Sequence, residues 1–309
     1  MLPDNNWYGH RSILFRYLGL KERTVFAWIQ HGWKSQVEKK FSQNRKKTFF
    51  PLLFWSKPNQ IFYNKNIKAH IIGSPFLYLC KMLNKNYNSK KNKPNGTLVF
   101  PVHTTQDYSQ EYDHDDLIKK VEKISPGPYT ACFYYYDFNK KNTFIYKKKN
   151  WRIICCVKSR TDKNSLYRLY DEINNHKSII CAEFTTALFY SMYLKKRTKV
   201  IIGKKYVMEK KNEKVILKFY KDKYPELFTA FLSPEKGYEL AKKELGFDYM
   251  REKDDLKEIL GLNSITKFFM SKIFEKLYDI KYGTEIRKGK NMSKKYLKKY
   301  VSAVRNTLD

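Results

Sequence analysis

Residues 94–203 alternate short apolar runs with amphipathic stretches, and this alternation restricts the fold more than any other feature of the sequence. In the clearest unit, a buried strand at 178–182 leads through a short loop into an apolar helix, and a second buried strand follows at 199–202. Parallel strands need a crossover of this length, whereas antiparallel strands can be joined by a tight turn. The pattern therefore predicts an α/β fold with a parallel sheet.

The same alternation covers five strands and three helices after residue 90. We predict strands at 97–100, 129–135, 152–157, 178–181 and 199–202, with helices at 115–124, 164–175 and 186–194. Strands that are separated by helices in this way form a doubly wound sheet with helices on both faces.

The rest of the chain divides into an α/β part and a helical part. Before residue 90 we predict helices at 9–19 and from Pro75 to 82, and strands at 24–29, 49–55 and 67–72. Segment 84–96 is polar, basic and without periodicity, as in a linker. From about residue 206 the pattern is helical, with predicted helices at 235–245, 254–260, 264–279 and 292–306. We therefore predict two Rossmann-like domains, 1–90 and 91–225, and a helical C-terminal section, 226–309.

The chain of 309 residues is strongly basic, with 62 Lys+Arg against 30 Asp+Glu and a formal net charge of +32. Such an excess favours polyanionic partners, namely nucleic acid, anionic lipid or phosphorylated substrates. An AT-rich genome also raises Lys, Asn, Tyr and Phe together without selection for binding. The five cysteines have no C-x-x-C spacing and fit a reducing compartment. We expect a cytoplasmic protein, either free or peripheral on the inner face of the plasma membrane.

Two predicted strands end at a histidine. His31 and Gly32 follow the strand at 24–29, and His103 follows the strand at 97–100 with Thr104 and Thr105 behind it. Ligands bind outside the carboxyl ends of parallel strands, so each imidazole could act as a general base or contact a phosphate. The structural alternatives are a loop histidine bonded to backbone and an ordinary polar strand end.

A third strand end carries hydroxyl groups at a helix start. Thr185 and Thr186 could receive an anion at the helix N-terminus, or Thr185 could simply cap the helix. Ser191 lies further along this helix, where its alternative role is packing inside the protein. Arg160 follows the strand at 152–157 and could clamp a pyrophosphate with two hydrogen bonds.

Two further motifs have structural explanations. The D-x-D of Asp113 and Asp115 could hold a metal, but it precedes a helix, where carboxylates favour the N-terminus, and we expect no metal site. The last predicted helix has an apolar stripe and a lysine-rich side, which suit either an anionic membrane surface or packing within the protein.

Several strings, taken in their order and spacing, resemble those of bacterial proteins from capsule and lipopolysaccharide gene clusters. The strings are NNWYGH at 5–10, IQHGW at 29–33, IGSPFLY at 72–78, FPVHTT at 100–105, and Thr185-Thr186 with Tyr190-Ser191. That family looks like two-domain (GT-B) glycosyltransferases and is distantly similar to teichoic-acid polymerases and polysialyltransferases. The resemblance covers roughly residues 5–205. The chain departs from the family's pattern at Lys158-Ser159 and Thr185-Thr186, where relatives carry Gly-His and Gly-Ser.

The resemblance implies transfer of a sugar from a nucleotide-sugar to a surface-polysaccharide or lipopolysaccharide acceptor, without a metal, in a cleft between two domains. Domain 1–90 would bind the acceptor and domain 91–225 the donor, with no cofactor besides the nucleotide-sugar. His31 and His103 would be catalytic. The expected donor side comprises Thr104, Thr105, Arg160, Thr185, Thr186 and Ser191, and the expected acceptor side comprises His10, Gly32 and Trp33.

Two other functions remain open from the sequence. The basic surface and many aromatic residues would suit a nucleic-acid-binding protein, although no recognition motif is present and no specific nucleic acid is expected. A relative without catalytic activity that binds only a glycan would also fit. The expected partners are a nucleotide-sugar and a glycan or lipid-linked glycan, with an anionic membrane surface as a further partner.

Overall fold

The computed structural model describes residues 6–33, 50–57, 68–86, 93–103, 112–138, 142–202 and 211–263. It shows an α/β protein with two parallel sheets, as predicted. The predicted helices at 264–279 and 292–306 lie outside the described residues. The finer prediction of two Rossmann-like domains, with boundaries at 90 and 225, stays a prediction.

The first sheet has three short parallel strands, β1 (Trp28–Ile29), β2 (Leu52–Phe54) and β3 (Ala69–Ile71), in the order β1-β2-β3. All are shorter than the predicted runs of 24–29, 49–55 and 67–72. Pro51, which has no backbone N–H, only accepts a hydrogen bond from Trp28 before β2 begins. Two helices accompany this sheet, α1 (His10–Leu18) and α2 (Pro75–Asn86), and they pack against each other.

The second sheet has five parallel strands, and its order is β6-β5-β4-β7-β8. The strands are β4 (Thr97–Phe100), β5 (Tyr129–Cys132), β6 (Arg152–Ile154), β7 (Ser178–Cys181) and β8 (Arg197–Val200). The helices between them are α3 (His114–Ile124), α4 (Asn142–Lys148), α5 (Ser165–Asn175) and α6 (Thr186–Tyr193). All five predicted strands and all three predicted helices are confirmed in position.

Three details of this sheet differ from the prediction. Helix α4 was not predicted, because lysines at 147–149 interrupt its apolar pattern. Strands β5 and β6 end earlier, and a turn follows β5 at 135–138. Strand β8 begins two residues earlier than predicted. It lies at the edge of the sheet, where the exposed Arg197 and half-buried Lys199 alternate with the buried Thr198 and Val200.

The helical region after residue 206 contains α7 (Lys211–Lys223), α8 (Glu226–Thr229), α9 (Pro234–Leu245) and α10 (Lys253–Ile259). Helix α9 packs against α6. It ends at Gly246, which has a φ of 76°. A Cβ added there would lie 1.7 Å from the backbone oxygen of Trp55, just after β2, so only glycine allows α9 to meet the first sheet so closely.

The second sheet is buried on both faces. Leu98 of β4 belongs to a large cluster with α1, α2, α5, α6 and α9, which also includes Ile13 and Leu53 beside the first sheet. Its neighbour Val99 belongs to a smaller cluster with α3 and α4. The larger cluster thus joins the two sheets and the helical region. No helix among the described residues is both long and apolar enough to cross a membrane.

Candidate functional site

The order of the second sheet places its switch point, where open α/β sheets have a crevice, at the carboxyl ends of β4 and β7. The chain adds strands on one side of β4 as far as β6, and then continues on the other side with β7 and β8. Connections from two such neighbouring strands leave in opposite directions, and ligands of open α/β sheets bind where they separate. His103 comes three residues after β4, and Glu183 comes two residues after β7.

His103 and Glu183 form the closest polar pair in this crevice. The Nδ1 atom of His103 lies 2.6 Å from Oε1 of Glu183, and the backbone N–H of His103 points to the same oxygen at 3.4 Å. Burial lowers the pKa of His103, but Glu183 and then Asp137 outweigh this effect, and the pKa is raised above its ordinary value of 6.5. The side chain is still 41% exposed. With Nδ1 bound to Glu183, Nε2 is the atom that can act on a ligand.

His31 lies beside the first sheet, two residues after β1, and is linked to the second sheet through aromatic rings. The ring of Trp7 lies 4.2 Å from the ring of His31, measured between centroids. The guanidinium of Arg160, which follows β6, lies 4.8 Å from the Trp7 ring centroid. The next neighbour is Tyr134, which follows β5, lies close enough to Arg160 to help raise the pKa of its guanidinium, and has its ring 5.5 Å from that of His103.

Backbone and hydroxyl contacts hold these residues, from His31 through Trp7, Arg160 and Tyr134 to His103, in place. The N–H of Tyr8 donates to the carbonyl oxygen of Arg160 at 2.6 Å, and the hydroxyls of Tyr8 and Tyr134 lie 3.0 Å apart. Burial raises the pKa of Tyr134, and Tyr8 raises it further, so both phenols stay neutral. Trp7 and Tyr8 before α1 and His31 after β1 thus meet residues that follow β4, β5 and β6.

A second connection between the sheets lies at Gly32 and Thr186. The N–H of Trp33 donates to Oγ1 of Thr186 at 2.9 Å, and a Cβ on Gly32 would lie 3.3 Å from that oxygen. The missing side chain of Gly32 therefore makes room for the hydroxyl of Thr186. Thr186 is only three residues from Glu183, so His31 and the loop before α6 lie on the same side of the molecule.

These contacts, together with the short step along the chain from Glu183 to Thr186, define a set of residues that we call the crevice ring. Its members, in order, are His31, Trp7, Arg160, Tyr134, His103, Glu183, Thr186 and Gly32. The ring brings both predicted catalytic histidines, Arg160, Thr186 and Gly32 together. Thr104 and Thr105 lie outside the described residues.

Thr185 stands at the N-cap position of α6, but its side chain forms no capping hydrogen bond. Its Oγ1 atom is buried and has no hydrogen-bond partner of normal geometry among the described residues. The alternative role of Thr185 as a side-chain cap is therefore wrong. An unused hydroxyl at a helix start beside the ring remains compatible with binding an anion.

Three predicted site residues lie in the core instead of at the crevice surface. Trp33 is 7% exposed, and its Nε1 donates to Oε2 of Glu244 at 2.9 Å. Ser191 is fully buried, and its hydroxyl donates to the carbonyl oxygen of Ala187. Because their polar groups are used inside the protein, Trp33 is not an acceptor surface and Ser191 is not a phosphate ligand.

His10 is the third of these residues. It is 1% exposed, and burial, followed by the nearby His31, lowers its pKa to about 3. The backbone of Gln30 lies close enough to oppose this shift, but neither ring nitrogen of His10 has a well-formed hydrogen bond to a described residue. His10 is therefore a neutral ring behind His31, in contact with Trp55, and not a surface contact for an acceptor.

The D-x-D motif has the structural role that we preferred. Asp113 is the N-cap of α3, and its carboxylate accepts the N–H of Asp116 at 2.9 Å. His114 is bonded through Nδ1 to the hydroxyl of Tyr146 at 2.9 Å. Within the described parts of the chain, no group of three or more His, Cys, Asp or Glu side chains is arranged to hold a metal.

Sequence reasoning missed Glu183 and Tyr134. Glu183 directly follows the predicted strand at 178–182, and pairing it with His103 needed the strand order, which places β7 next to β4. Tyr134 opens a run of three tyrosines, the first two of which we assigned to the strand at 129–135. Its signal was the run itself, because bulky polar rings beyond a buried strand indicate a loop that lines a surface.

A lysine-lined cavity shares no residue with the crevice ring. Its volume is about 350 Å³, and it is lined by Lys120, Lys123, Lys199 and Lys221 together with apolar residues at 200–202 and Phe228. Some of these charges are already used: Lys120 pairs with Asp116, and Lys199 donates to the carbonyl oxygen of Thr229.

Comparison of the chain with protein-family models, with curated proteins and with solved structures gave no match. The function therefore has to be argued from the crevice ring itself.

Proposed function

We propose that this protein is a glycosyltransferase that moves a sugar from a nucleotide-sugar to a glycan acceptor in the crevice ring. The observation that carries the proposal is the His103–Glu183 pair at the separation of β4 and β7, joined through Tyr134, Arg160 and Trp7 to His31. One side of the crevice then offers positive charge, and the other offers an imidazole for proton transfer.

The donor side matches the charge of a diphosphate leaving group. As the bond between the sugar C1 and the phosphate oxygen breaks, negative charge develops on the diphosphate. The imidazolium of His103, the guanidinium of Arg160 and the N-terminus of α6 would offset that charge. Such groups accelerate the reaction because they are held in place before the charge develops.

The acceptor side needs a base. The acceptor hydroxyl attacks C1 and loses its proton, and His31 is the residue that we assign to take it. The buried, neutral His10 behind it adds no positive charge that would oppose protonation of His31. The surface-polysaccharide or lipopolysaccharide acceptor, the two Rossmann-like domains and independence of metal belong to this proposal as its finer parts.

A thermal-shift screen tests the proposal first. UDP-, GDP-, CMP- and dTDP-linked sugars are added in turn, and one of them should raise the melting temperature, because a ligand that binds only the native state stabilises it. At a concentration of 100 Kd the expected gain is about 2.7 kcal/mol. If no nucleotide-sugar stabilises the protein, the proposal fails.

Transfer assays with the active donor then test the residues. His31→Ala and His103→Ala should each lower sugar transfer by about 10²–10⁴-fold while the fold is kept, as for loss of a general acid or base. His70→Ala, on β3 and outside the crevice ring, is the matched control and should transfer normally. Normal transfer by His31→Ala would remove that residue from the mechanism.

The lysine-lined cavity and the net charge of +32 favour nucleic-acid binding as the second candidate function. Retention on DNA should then fall steeply with salt, and Lys123→Glu with Lys221→Glu should weaken it, because phosphate contacts release counterions. Anionic vesicles serve as the comparison surface. Equal retention on DNA and vesicles would indicate unspecific attraction and dismiss this candidate.

A further inference from the structure

We infer that the tyrosines at 134–136, together with Arg160, bind the nucleobase of the donor, an inference that rests on the proposed function. The three residues follow β5 directly. Their ring centroids are 4.5 Å apart for Tyr134 and Tyr135, 4.3 Å for Tyr135 and Tyr136, and 5.9 Å for Tyr134 and Tyr136. All three side chains are only half-buried, so this dense aromatic cluster is partly open to solvent.

Arg160 faces the same cluster. Partial burial lowers its pKa, but Tyr135, followed by Tyr134 and Tyr136, more than offsets this effect. The phenol of Tyr135 is thus within electrostatic range of the guanidinium, which also lies 4.8 Å from the Trp7 ring centroid. A planar cation close to aromatic rings favours stacking of a flat, polar π system, and guanidinium N–H groups can hydrogen-bond the edge of such a system.

The position of the cluster favours a nucleobase over another ring. Strand β5 pairs with β4, whose end carries His103, and the ring of Tyr134 lies 5.5 Å from that of His103. A base stacked on the cluster would therefore have its phosphates next to the imidazolium to which we assign the leaving group. Because its hydroxyl is within hydrogen-bonding distance of Tyr8, Tyr134 is fixed, and Tyr135 is the residue that we assign to stacking.

The first experiment measures binding of UMP, CMP, GMP and dTMP to the full chain by calorimetry. Tyr135→Leu should weaken the best of them by about 5–100-fold, because loss of base stacking on one aromatic ring has an effect of this size. Tyr135→Phe, which keeps the ring, should bind within about 3-fold of the unchanged protein. Pyrophosphate, which has no base, should bind all three proteins equally. Tyr249→Leu, away from the crevice, is the control.

A second variant keeps the test valid if Tyr135→Leu does not fold. Arg160→Lys retains the charge but removes the plane, so it should weaken the same nucleotide and leave pyrophosphate binding nearly unchanged. Equal loss of nucleotide and pyrophosphate would mean that Arg160 acts on phosphate alone, and would overturn its assignment to the base.

The outcomes separate the inference from the proposed function. If the unchanged protein binds no nucleotide, both are overturned. If it binds a nucleotide that Tyr135→Leu binds equally well, the inference is overturned and the glycosyltransferase proposal stands. If Tyr135→Leu loses affinity for an acceptor glycan instead, the cluster stacks on the acceptor, and the inference is again overturned.

Discussion

The two sheets differ in how much of their structure is encoded locally. Strands β4 and β7 of the second sheet are four residues long, wholly buried and flanked by helices on both faces. Strands of the first sheet have two or three residues, and β3 is only partly buried. The second sheet therefore forms from its own apolar runs, whereas the first depends on packing against the rest of the molecule.

Contacts at the carboxyl end of the first sheet show this dependence. The side chain of Gln30 accepts the backbone N–H of Trp55 at 3.1 Å and donates to the carbonyl oxygen of Gly32 at 2.8 Å. In addition to these two hydrogen bonds of Gln30, Gly246 of the helical region packs against the backbone of Trp55. Trp33 donates hydrogen bonds to Thr186 and Glu244. The crevice ring thus requires that the shorter-stranded first sheet be held against the second.

Gly246→Ala should have the largest effect on this comparison. A methyl group 1.7 Å from the oxygen of Trp55 forces the first sheet away from α9, and the φ of 76° adds strain. We expect a loss of about 2–5 kcal/mol in the free energy of unfolding, measured by urea denaturation. Gly19→Ala has a φ of 71° with nothing within 4 Å, so it should lose only about 1–2 kcal/mol. Equal losses would show that strain alone matters and that the contact between α9 and the first sheet is unimportant.

Glu183→Gln tests the site that belongs to the second sheet. Without the carboxylate, the pKa of His103 should fall and sugar transfer should drop by about 10²-fold. The raised pKa favours the imidazolium, so its interaction with Glu183 stabilises the protein fully below pH 6.5 and is lost as the pH rises through the folded-state pKa. Transfer should decline over the same range, and in Glu183→Gln the decline should begin at lower pH.

NMR titration of the His103 ring gives the direct measurement for this variant. Glu239→Gln, an exposed carboxylate on α9, is the matched control and should leave both the titration and the pH profile of transfer unchanged. A pKa of His103 that is the same with and without Glu183 would contradict the pairing on which the proposed function depends.

Two tryptophan substitutions compare the sheets directly. Trp33→Phe keeps an aromatic ring but leaves the buried carboxylate of Glu244 with one donor fewer, and should lose about 1–3 kcal/mol of folding free energy. Trp151→Phe removes a similar bond to Glu122 beside the second sheet. Because Glu122 is exposed to water, we expect a loss of only about 0.5–1 kcal/mol. The same loss for both would mean that burial of Glu244 does not matter.

The smallest expected difference in stability is between substitutions at the N-termini of two helices, α3 and α6, that flank the second sheet. Asp113→Ala removes the cap of α3 and should lose about 1 kcal/mol in thermal or urea denaturation. Thr185→Ala removes a side chain that makes no capping bond, so stability should change by less than about 0.5 kcal/mol. A large loss at Thr185 would reveal a contact of its hydroxyl that matters for folding.

The two sheets also differ in how well their strands could be predicted from the sequence. Residues 97–100 and 178–181 form buried strands at the predicted bounds because runs of apolar residues between polar loops have few alternatives. Residues 24–27 were assigned to a strand on the same evidence, yet only Trp28 and Ile29 pair. The buried apolar residues among 24–27 pack against distant parts of the chain, and a local sequence pattern does not contain this information.

The site was predictable in part for a similar reason. His31 and His103 could be found because each follows an apolar run, and the position after a strand is a local property. Glu183 required knowledge of which strands are neighbours. Trp33 was misassigned because a tryptophan beside a strand end looks the same in sequence whether it faces a ligand or a buried carboxylate such as Glu244.

The crevice ring also limits how the protein can move. It holds the N-terminal region against the second sheet at two separate places, through Trp7 and Tyr8 before α1 to Arg160 and through Trp33 after β1 to Thr186. A clamshell opening about one hinge would have to break one of these fastenings. Ligands would therefore enter and leave by rapid rotations of half-buried side chains such as Trp7 and Arg160, rather than by slow separation of two lobes.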